Sequence, residues 1–588
     1  MTMENLCSQS KKFIPGFTVF LLLMSMAFLF VGTQKDVRLS FSEESGYYDE
    51  AIELKIWGNY GYKVYYTLDG SVPGPDGNLY DPDKPITLSD ATSNENVYSM
   101  RTDTSTAFLT DMIAKYSPGV DDPGYTVPDY DIDKCNVVRA SVFDAGGNCL
   151  DTITGVYFIG FQNKRGYDKI YTASIVTDPD NLFDYDTGIY VTGSSFENAK
   201  ETIFGLDGEV DDSVLENRSW YWWTSNYSNR GQGWEREAFV LIFDEERNLV
   251  LSENCGIRIQ GGGSRGMLPK SIGCYARQKY SGSYQFQTAL FQEDIYLHKF
   301  VFFSGGDDNI FKLSDYMVNT MEKKLAFSTM DFIPCALFLD GEYWGMYYIT
   351  ENYNRDFISS HYQVEEDNVI MIKNGELTEG ERQEGKLFEE MVAYIAGNDM
   401  TSEENYEKAC SIIDVDSYID YYAAQTYIAR YGDWPGGNYA AWRTRKSEGT
   451  AYGDCRWRWM LFDVNSGALA VDMADADIFV SIPKSDVVFQ SLYQNEEFRV
   501  KFAKRLLYIG REIFPEEKCE AFLDDYVQRM REPIAVGCRR FYNDARTEEF
   551  DRNVEEMRLF FRTRYDAIWN SLVNNMGEEW LEQNGIRK

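Results

Sequence analysis

Residues 236 to 282 read REAFVLIFDEERNLVLSENCGIRIQGGGSRGMLPKSIGCYARQKYSG. Apolar and polar residues alternate along this stretch, which predicts three β-strands. An acidic turn from Asp244 to Asn248 joins the first two strands, and a glycine-rich loop at Gly261, Gly262 and Gly263 precedes the third. Glycines in such a loop let backbone N–H groups approach a ligand closely. The rest of the fold must be built around this sheet.

Upstream, residues 37 to 160 also alternate, in AIELKIW, YKVYYTLDG and CNVVRASVFDAGGNCL, with Gly, Pro and Asp at the turns. The pattern predicts a small β-sandwich. Residues 76 to 134 within it form a polar insert expected to be a long loop. Downstream, SDYMVNTMEKKLAF (314 to 327) predicts an amphipathic helix with Ser314 as its N-cap. DFIPCALFLDGEYWGMYYITEN predicts a hairpin turning at Asp340–Gly341. Helical patterns fill 383 to 431 and most of the chain after 480. The fold class is therefore α+β, and 588 residues imply more than one domain.

Residues 13 to 32, FIPGFTVFLLLMSMAFLFVG, carry no charge and follow Lys11 and Lys12. That length suits a transmembrane signal anchor behind a cytoplasmic tail of residues 1 to 12, or a signal peptide. Both place the chain from about residue 36 outside the cytoplasm, at the cell membrane or cell surface. The net charge is −37, from 94 acids against 57 bases, which excludes nucleic acid as a partner. Only His298 and His361 are available as imidazoles, so a His-rich zinc site is excluded and catalysis falls to carboxylates, amides, Lys and Arg. Ten Cys show no paired metal spacing, and nine follow the apolar segment. Cys255 and Cys274 fall on neighbouring predicted strands, where a disulfide and two buried thiols are both compatible with the pattern.

The loop RYGDWPGGNYAAWR (430 to 443) holds Asp433 and Asn438 on a turn shaped by Pro435, Gly436 and Gly437. The strand that follows, a polar turn and the returning strand RWRWMLF lead to Asp463. A hairpin symmetric about residues 450 and 451 sets Asn438 opposite Asp463. Two carboxylates and an amide oxygen are hard donors suited to Mg2+ or Mn2+. Asp-x4-Asn with a later Asp at the end of a hairpin is also the order a protein kinase uses. The same residues serve as ordinary turn formers. Arg265 and Lys270, after the glycines, add positive charge for phosphate in a very acidic chain.

Three separated stretches resemble the CotH family, named for spore-coat protein H: NCGIRIQGGGSRGMLPKSIGCYARQKYSG, LDGEYWGMYYITENYNRDFI, and GDWPGGNYAAWR with WRWMLFDVNSGAL. The resemblance covers roughly residues 165 to 570 and leaves 571 to 588 as a tail. VYYTLDGSVPG resembles the accessory β-sandwich module at the C-terminus of chitobiases and hexosaminidases. The resemblance implies an atypical protein-kinase-like two-lobed domain that transfers phosphate from ATP, with Mg2+ or Mn2+, to Ser or Thr of surface or spore-coat proteins. It implies Asp433 as the catalytic acid, Asn438 and Asp463 as metal ligands, and Lys270 at the ATP phosphates beside Gly261, Gly262, Gly263 and Arg265. Glu351 would sit at the adenine-side hinge, and Asp315 or Glu322 would partner Lys270. The chain departs from the family at Asp463–Val464–Asn465, where an Asp is frequent in place of Asn465. An inactive scaffold for surface adhesion or carbohydrate binding, with the N-terminal module contacting sugar, is the alternative; the aromatic cluster at 219 to 234 also invites it.

Overall fold

The computed structural model describes residues 37–58, 61–109, 124–204, 224–291, 297–308, 310–477 and 486–588. The apolar stretch at 13 to 32 and part of the aromatic cluster at 219 to 234 lie outside them. Among the described residues no helix is long and apolar enough to cross a membrane.

The chain divides into two compact units. The first takes Ile52–Leu88, Val138–Gly155 and the described residues up to Ser45. In it Lys63–Thr67 pairs antiparallel with Asn78–Leu79 and with residues 139–143, while Ile52–Leu54 pairs with Ile86–Leu88. Alternate side chains turn inward: Leu54, Val64, Ile86, Leu88, Val138, Ala140 and Val142 are all buried. These are sandwich-like strands, but the predicted block 37 to 160 is not one body. Residues 46–51, 89–137 and 156–160 belong to the second unit.

The second unit holds a closed barrel of seven strands. They are β1 (Tyr171–Val176), β2 (Arg236–Phe243), β3 (Leu249–Ile259), β4 (Ile272–Tyr275), β5 (Lys299–Phe303), β6 (Phe332–Leu339) and β7 (Glu342–Thr350). The barrel order is β1-β2-β3-β4-β5-β7-β6, closed by parallel pairing of β1 with β6. Along β6 the period of two is clean. Cys335, Leu337 and Leu339 face one core with Trp344 and Ile349, whereas Ala336 and Phe338 face another with Phe158 and Phe161. Both faces are thus buried, and the Phe338 ring meets Phe158 edge-on at 5.2 Å. The β6–β7 hairpin turns at Asp340 (φ 45°) and Gly341 (φ 91°), as the Asp-Gly pair predicts.

A four-stranded sheet follows, in the order β9-β8-β10-β11, from β8 (Val369–Lys373), β9 (Glu376–Glu379), β10 (Ala440–Thr444) and β11 (Arg458–Met460). The helices that matter for the site are α1 (Ser314–Met321), α2 (Arg355–Tyr362), α3 (Val415–Tyr427), α4 (Glu496–Tyr508), α5 (Glu516–Tyr542) and α6 (Thr547–Met576). α1 is shorter than predicted, ending at Met321 rather than 327. Its cap is not Ser314. The Asp308 carboxylate accepts from the N–H groups of Lys312, Leu313 and Ser314 and so satisfies the donors at the helix start. Residues 571 to 588 are not a loose tail, because α6 runs to Met576 and Glu578–Gln583 is helical.

The polar insert is also more than a loop. The backbone N–H groups of Val97 and Ser99 donate to the Glu342 carboxylate at 2.5 and 2.7 Å. Ser105 Oγ donates to the Gly266 carbonyl at 2.8 Å, and the Leu268 N–H donates to Tyr125 Oη at 3.1 Å. The insert thereby braces the glycine-rich loop.

Arg564 of α6 is fully buried. Its guanidinium donates to the carbonyls of Thr426 and Tyr427 at the end of α3, both at 2.8 Å, and to those of Met473, Ala474 and Ala476 at 3.0–3.3 Å. The carbonyls of Thr426 and Met473 also accept from the N–H groups of Ala429 and Ala476, which leaves those of Tyr427, Ala474 and Ala476 most dependent on it. Arg564→Met is therefore expected to cost about 3 kcal/mol, at roughly 1 kcal/mol per stranded acceptor; the midpoint shift in urea unfolding measures it.

Candidate active site

Trp434 anchors the loop after α3. It is buried, packs on Tyr422 at 5.3 Å between centroids, and donates from Nε1 to Tyr421 Oη at 3.2 Å. The indole, as well as the Pro and Gly pair, fixes where the loop sits. Beyond it Asn438 stands at φ 49° and donates from its amide to Asp433 Oδ2, and Arg430 Nη2 approaches Asp433 Oδ1 at 3.4 Å. The Arg430 side chain is fully buried, while that of Asp433 is 47% exposed. The cation is held from behind, and the carboxylate is presented to solvent.

The hairpin that carries Asp463 departs from the expected register by one residue. Ala440 faces Met460, Ala441 faces Trp459 and Trp442 faces Arg458, so the extrapolated partner of Asn438 is Phe462 rather than Asp463. The ladder stops before either residue. Asp463 stands at φ 57°, a left-handed turn that redirects its side chain. Backbone pairing then locks the two loops together. The Tyr431 N–H donates to the Gly467 carbonyl at 2.8 Å and the Leu469 N–H to the Ile428 carbonyl at 2.9 Å. A Cβ at Gly467 would fall 2.4 Å from the Tyr431 carbonyl oxygen, so only glycine allows this approach.

A cavity of about 1120 Å³ opens on this loop pair. It is lined by Gly261, Gly262, Gly263, Arg258, Arg265, Arg277 and Lys299, and also by Asp307, Asp315, Lys373, Asn438, Asp463 and Asn465. Arg258 and Arg277 stack over the Tyr275 ring at 3.9 and 5.0 Å, and the buried Glu235 pairs with Arg277 at 3.2 Å. Asp307 is held above the usual carboxylate range by burial and by the charges of Asp463 and Asp433. Burial and Asp463 raise Asp315 to about 7.

The predicted phosphate residues are only partly brought together here. Gly261 (φ 108°), Gly262 and Gly263 line the cavity. Arg265 lines it too, but it is 5% exposed and spends its N–H groups on the carbonyls of Gly261, Tyr227 and Asn229. Lys270 is not at the cavity. It is fully buried, and Nζ donates to the carbonyls of Arg265 (2.6 Å) and Met267 (3.3 Å) under the Tyr227 ring. Burial drives its basicity well down, and Arg265 adds to the effect. Lys270 is thus a brace for the loop, and a phosphate would have to displace both carbonyls to reach it. Neither predicted acid partners it: Asp315 accepts from Val464 N–H and Asn465 Nδ2, and Glu322 is buried, its carboxyl pushed well above the ordinary range by burial and by Asp420.

Lys299 is the cation that the sequence reading passed over. It opens β5, lines the cavity, and donates to Asn352 Oδ1 at 2.9 Å and Gln260 Oε1 at 3.2 Å. The available signal was its place in HKFVFF, a lone Lys at the mouth of an apolar strand. Glu351 follows β7 and lines the cavity, but its carboxylate is occupied by Asp331 N–H (2.9 Å) and His361 Nε2 (2.7 Å). At that end His298 Nδ1 lies 3.0 Å from Asp356 Oδ2, with Glu366 beside them. Cys255 and Cys274 are both free thiols.

Burial lowers Lys299 to about 7, with the charges of Arg258 and Lys373 adding to it. An unfolded lysine titrates near 10.4, so between these values the unfolded chain binds the extra proton and stability rises with pH. Below pH 7 both states are charged and the full penalty persists. Lys299→Met is expected to be more stable than the parent at pH 6 and to show a flatter rise from pH 7 to 10, read from urea unfolding at each pH.

Comparison with known proteins adds the lineage. The family described as CotH kinase protein matches residues 257–568, and the chitobiase/beta-hexosaminidase C-terminal domain matches residues 43–107. None of the curated proteins matches the chain. The first match covers more than half of the 588 residues, including the glycine-rich loop, Asp433, Asn438 and Asp463, and the chain belongs to the CotH kinase family.

Proposed function

We propose that this protein transfers the terminal phosphoryl group of metal-bound ATP to a Ser or Thr hydroxyl of a protein. The observation that carries the reading is one cavity that gathers the glycine-rich loop and the cations Arg258, Arg277, Lys299 and Lys373 with the hard oxygen donors Asp307, Asp463 and Asn438. A metal triphosphate has the same two signs. The donor set fits as well: Asn438 and Asp463 offer hard oxygen atoms, which Mg2+ and Mn2+ prefer over sulfur or imidazole. Bound there, the cation would neutralise charge on the transferring group.

The protein's own residues account for the rest. Asp433 accepts from Asn438 and lies near Arg430, and its exposed oxygen atoms retain lone pairs that would orient an incoming hydroxyl and receive its proton. Lys299, Arg258 and Arg277 would face the phosphates. Lys299 sits near neutrality when the cavity holds no anion and would be fully charged beside one. His298, Asp356 and Glu366 give the far end of the cavity the polar groups that sugar hydroxyls require. In this reading the barrel and the helix-backed sheet are the two lobes of a kinase-like domain. The uncharged stretch 13 to 32 supports membrane attachment with an extracytoplasmic location, and therefore substrates at the cell surface or spore coat. The chitobiase-like module supports carbohydrate contact.

The full chain, given labelled ATP with Mn2+ or Mg2+ and a Ser-rich protein, is expected to incorporate phosphate. Asp433→Ala and Asp463→Ala should each lower the rate by about 10²- to 10⁴-fold without changing the melting temperature by more than a few degrees. If the intact protein neither binds metal-ATP nor transfers phosphate, the reading fails and the inactive surface scaffold replaces it.

A further inference from the structure

Asn465 lies two residues after Asp463, and its amide is fully used. Nδ2 donates to Asp463 Oδ1 at 2.8 Å and to Asp315 Oδ2 at 2.7 Å. Oδ1 accepts from the Asp307 N–H at 3.1 Å. An amide oxygen already taken by a backbone donor is poorly placed to bind a cation, so the geometry does not make Asn465 a ligand. A carboxylate at 465 would fit worse, because it has no N–H to give to Asp315 and Asp463 and would add a third like charge.

The loop that brings Asp307 in is shaped for this contact. Gly306 stands at φ 59°, and a Cβ there would fall 2.9 Å from Asn465 Oδ1 and 3.0 Å from its Cγ. On the other side of Asp307, Asp308 is pinned by three backbone N–H groups at the start of α1. Asp307 is thereby fixed at both flanks. It lines the cavity together with Asn438 and Asp463, and its carboxylate is hydrogen-bonded to Ser466. Asp315 is different: it is 7% exposed, and its two oxygen atoms are taken by Val464 N–H and Asn465 Nδ2.

We propose that Asp307 is the carboxylate that joins Asp463 and Asn438 in holding the divalent cation, and that Asn465 is a positioning residue that sets Asp307 and Asp463 around it. The charge absent at 465 is supplied from another segment, so the Asn is no mark of inactivity. This proposal rests on the metal-nucleotide reading of the cavity.

The test is a Mn2+ titration of the full chain, followed by the electron paramagnetic resonance of free Mn2+, with and without a non-hydrolysable ATP analogue. Asp307→Asn should weaken Mn2+ binding about tenfold or more. Asn465→Asp should weaken it too, whereas a true ligand position would tighten it. Asp307→Cys should lose Mn2+ and gain Cd2+, because a thiolate in the coordination sphere prefers the softer ion; a merely structural residue would show no such exchange. If the parent binds Mn2+ with the analogue and Asp307→Asn matches it, the role of Asp307 is overturned while the phosphotransfer reading stands. Asn465→Asp binding more tightly than the parent overturns the positioning role. If the parent binds no Mn2+ under either condition, both readings fall together.

Discussion

The guanidinium of Arg564 determines where the Asp433 and Asp463 loops can be. It collects carbonyls from the end of α3 and from residues 473 to 476, one strand of chain entering the Asp433 loop and the other leaving the Asp463 loop. A planar fork of five donors can satisfy such a fan of acceptors where a lysine could not. The two loops are then joined directly through Tyr431–Gly467 and Ile428–Leu469. The spacing of Asp433, Asn438 and Asp463 is therefore set by backbone held from the protein interior, and the side chains of the site can stay exposed.

The glycine-rich loop is held by the same kind of bond, buried cations donating to backbone carbonyls. Lys270 and Arg265 turn away from the ligand space and gather carbonyls of the glycine-rich loop, while Ser105 and Tyr125 approach it from the insert. Removing carbonyls from the surface leaves N–H groups and cations to face the cavity. This is how a chain of net charge −37 can present a locally positive wall. A preformed loop also has little order left to gain on binding, which lowers the entropic cost of capturing an anion.

Much of this was legible in the sequence where local chemistry decides conformation. The Asp340–Gly341 turn, the strands on either side of Asp244–Asn248, and the Asp433 loop follow from turn residues and alternation. Spacing after a glycine-rich loop does not say which way Lys270 turns; that is decided by the carbonyl directions of Arg265 and Met267 and by the distant Tyr227 ring. α1 was drawn too long because EKKLAF continues a helical composition, while Glu322 and Leu325 instead pack into the interior. The insert at 89 to 137 has no period to detect, since it is held through single backbone and hydroxyl contacts far apart in sequence. The role of Asp307 could not be seen either, because it depends on Asn465, 158 positions away.

The cysteines carry a practical consequence. All nine described ones are thiols, and those of the barrel, Cys255, Cys274 and Cys335, are fully buried. Burial holds Cys274 and Cys335 far above the ordinary thiol range, so at neutral pH almost no thiolate exists there to be oxidised. These barrel sulfhydryls are protected kinetically, by withholding the nucleophile, and need no pairing to persist in an oxidising medium. Cys149 alone among the nine is exposed. Among the described residues, oxidative cross-linking of the folded protein would therefore start at Cys149, ahead of the half-buried Cys410 and Cys455.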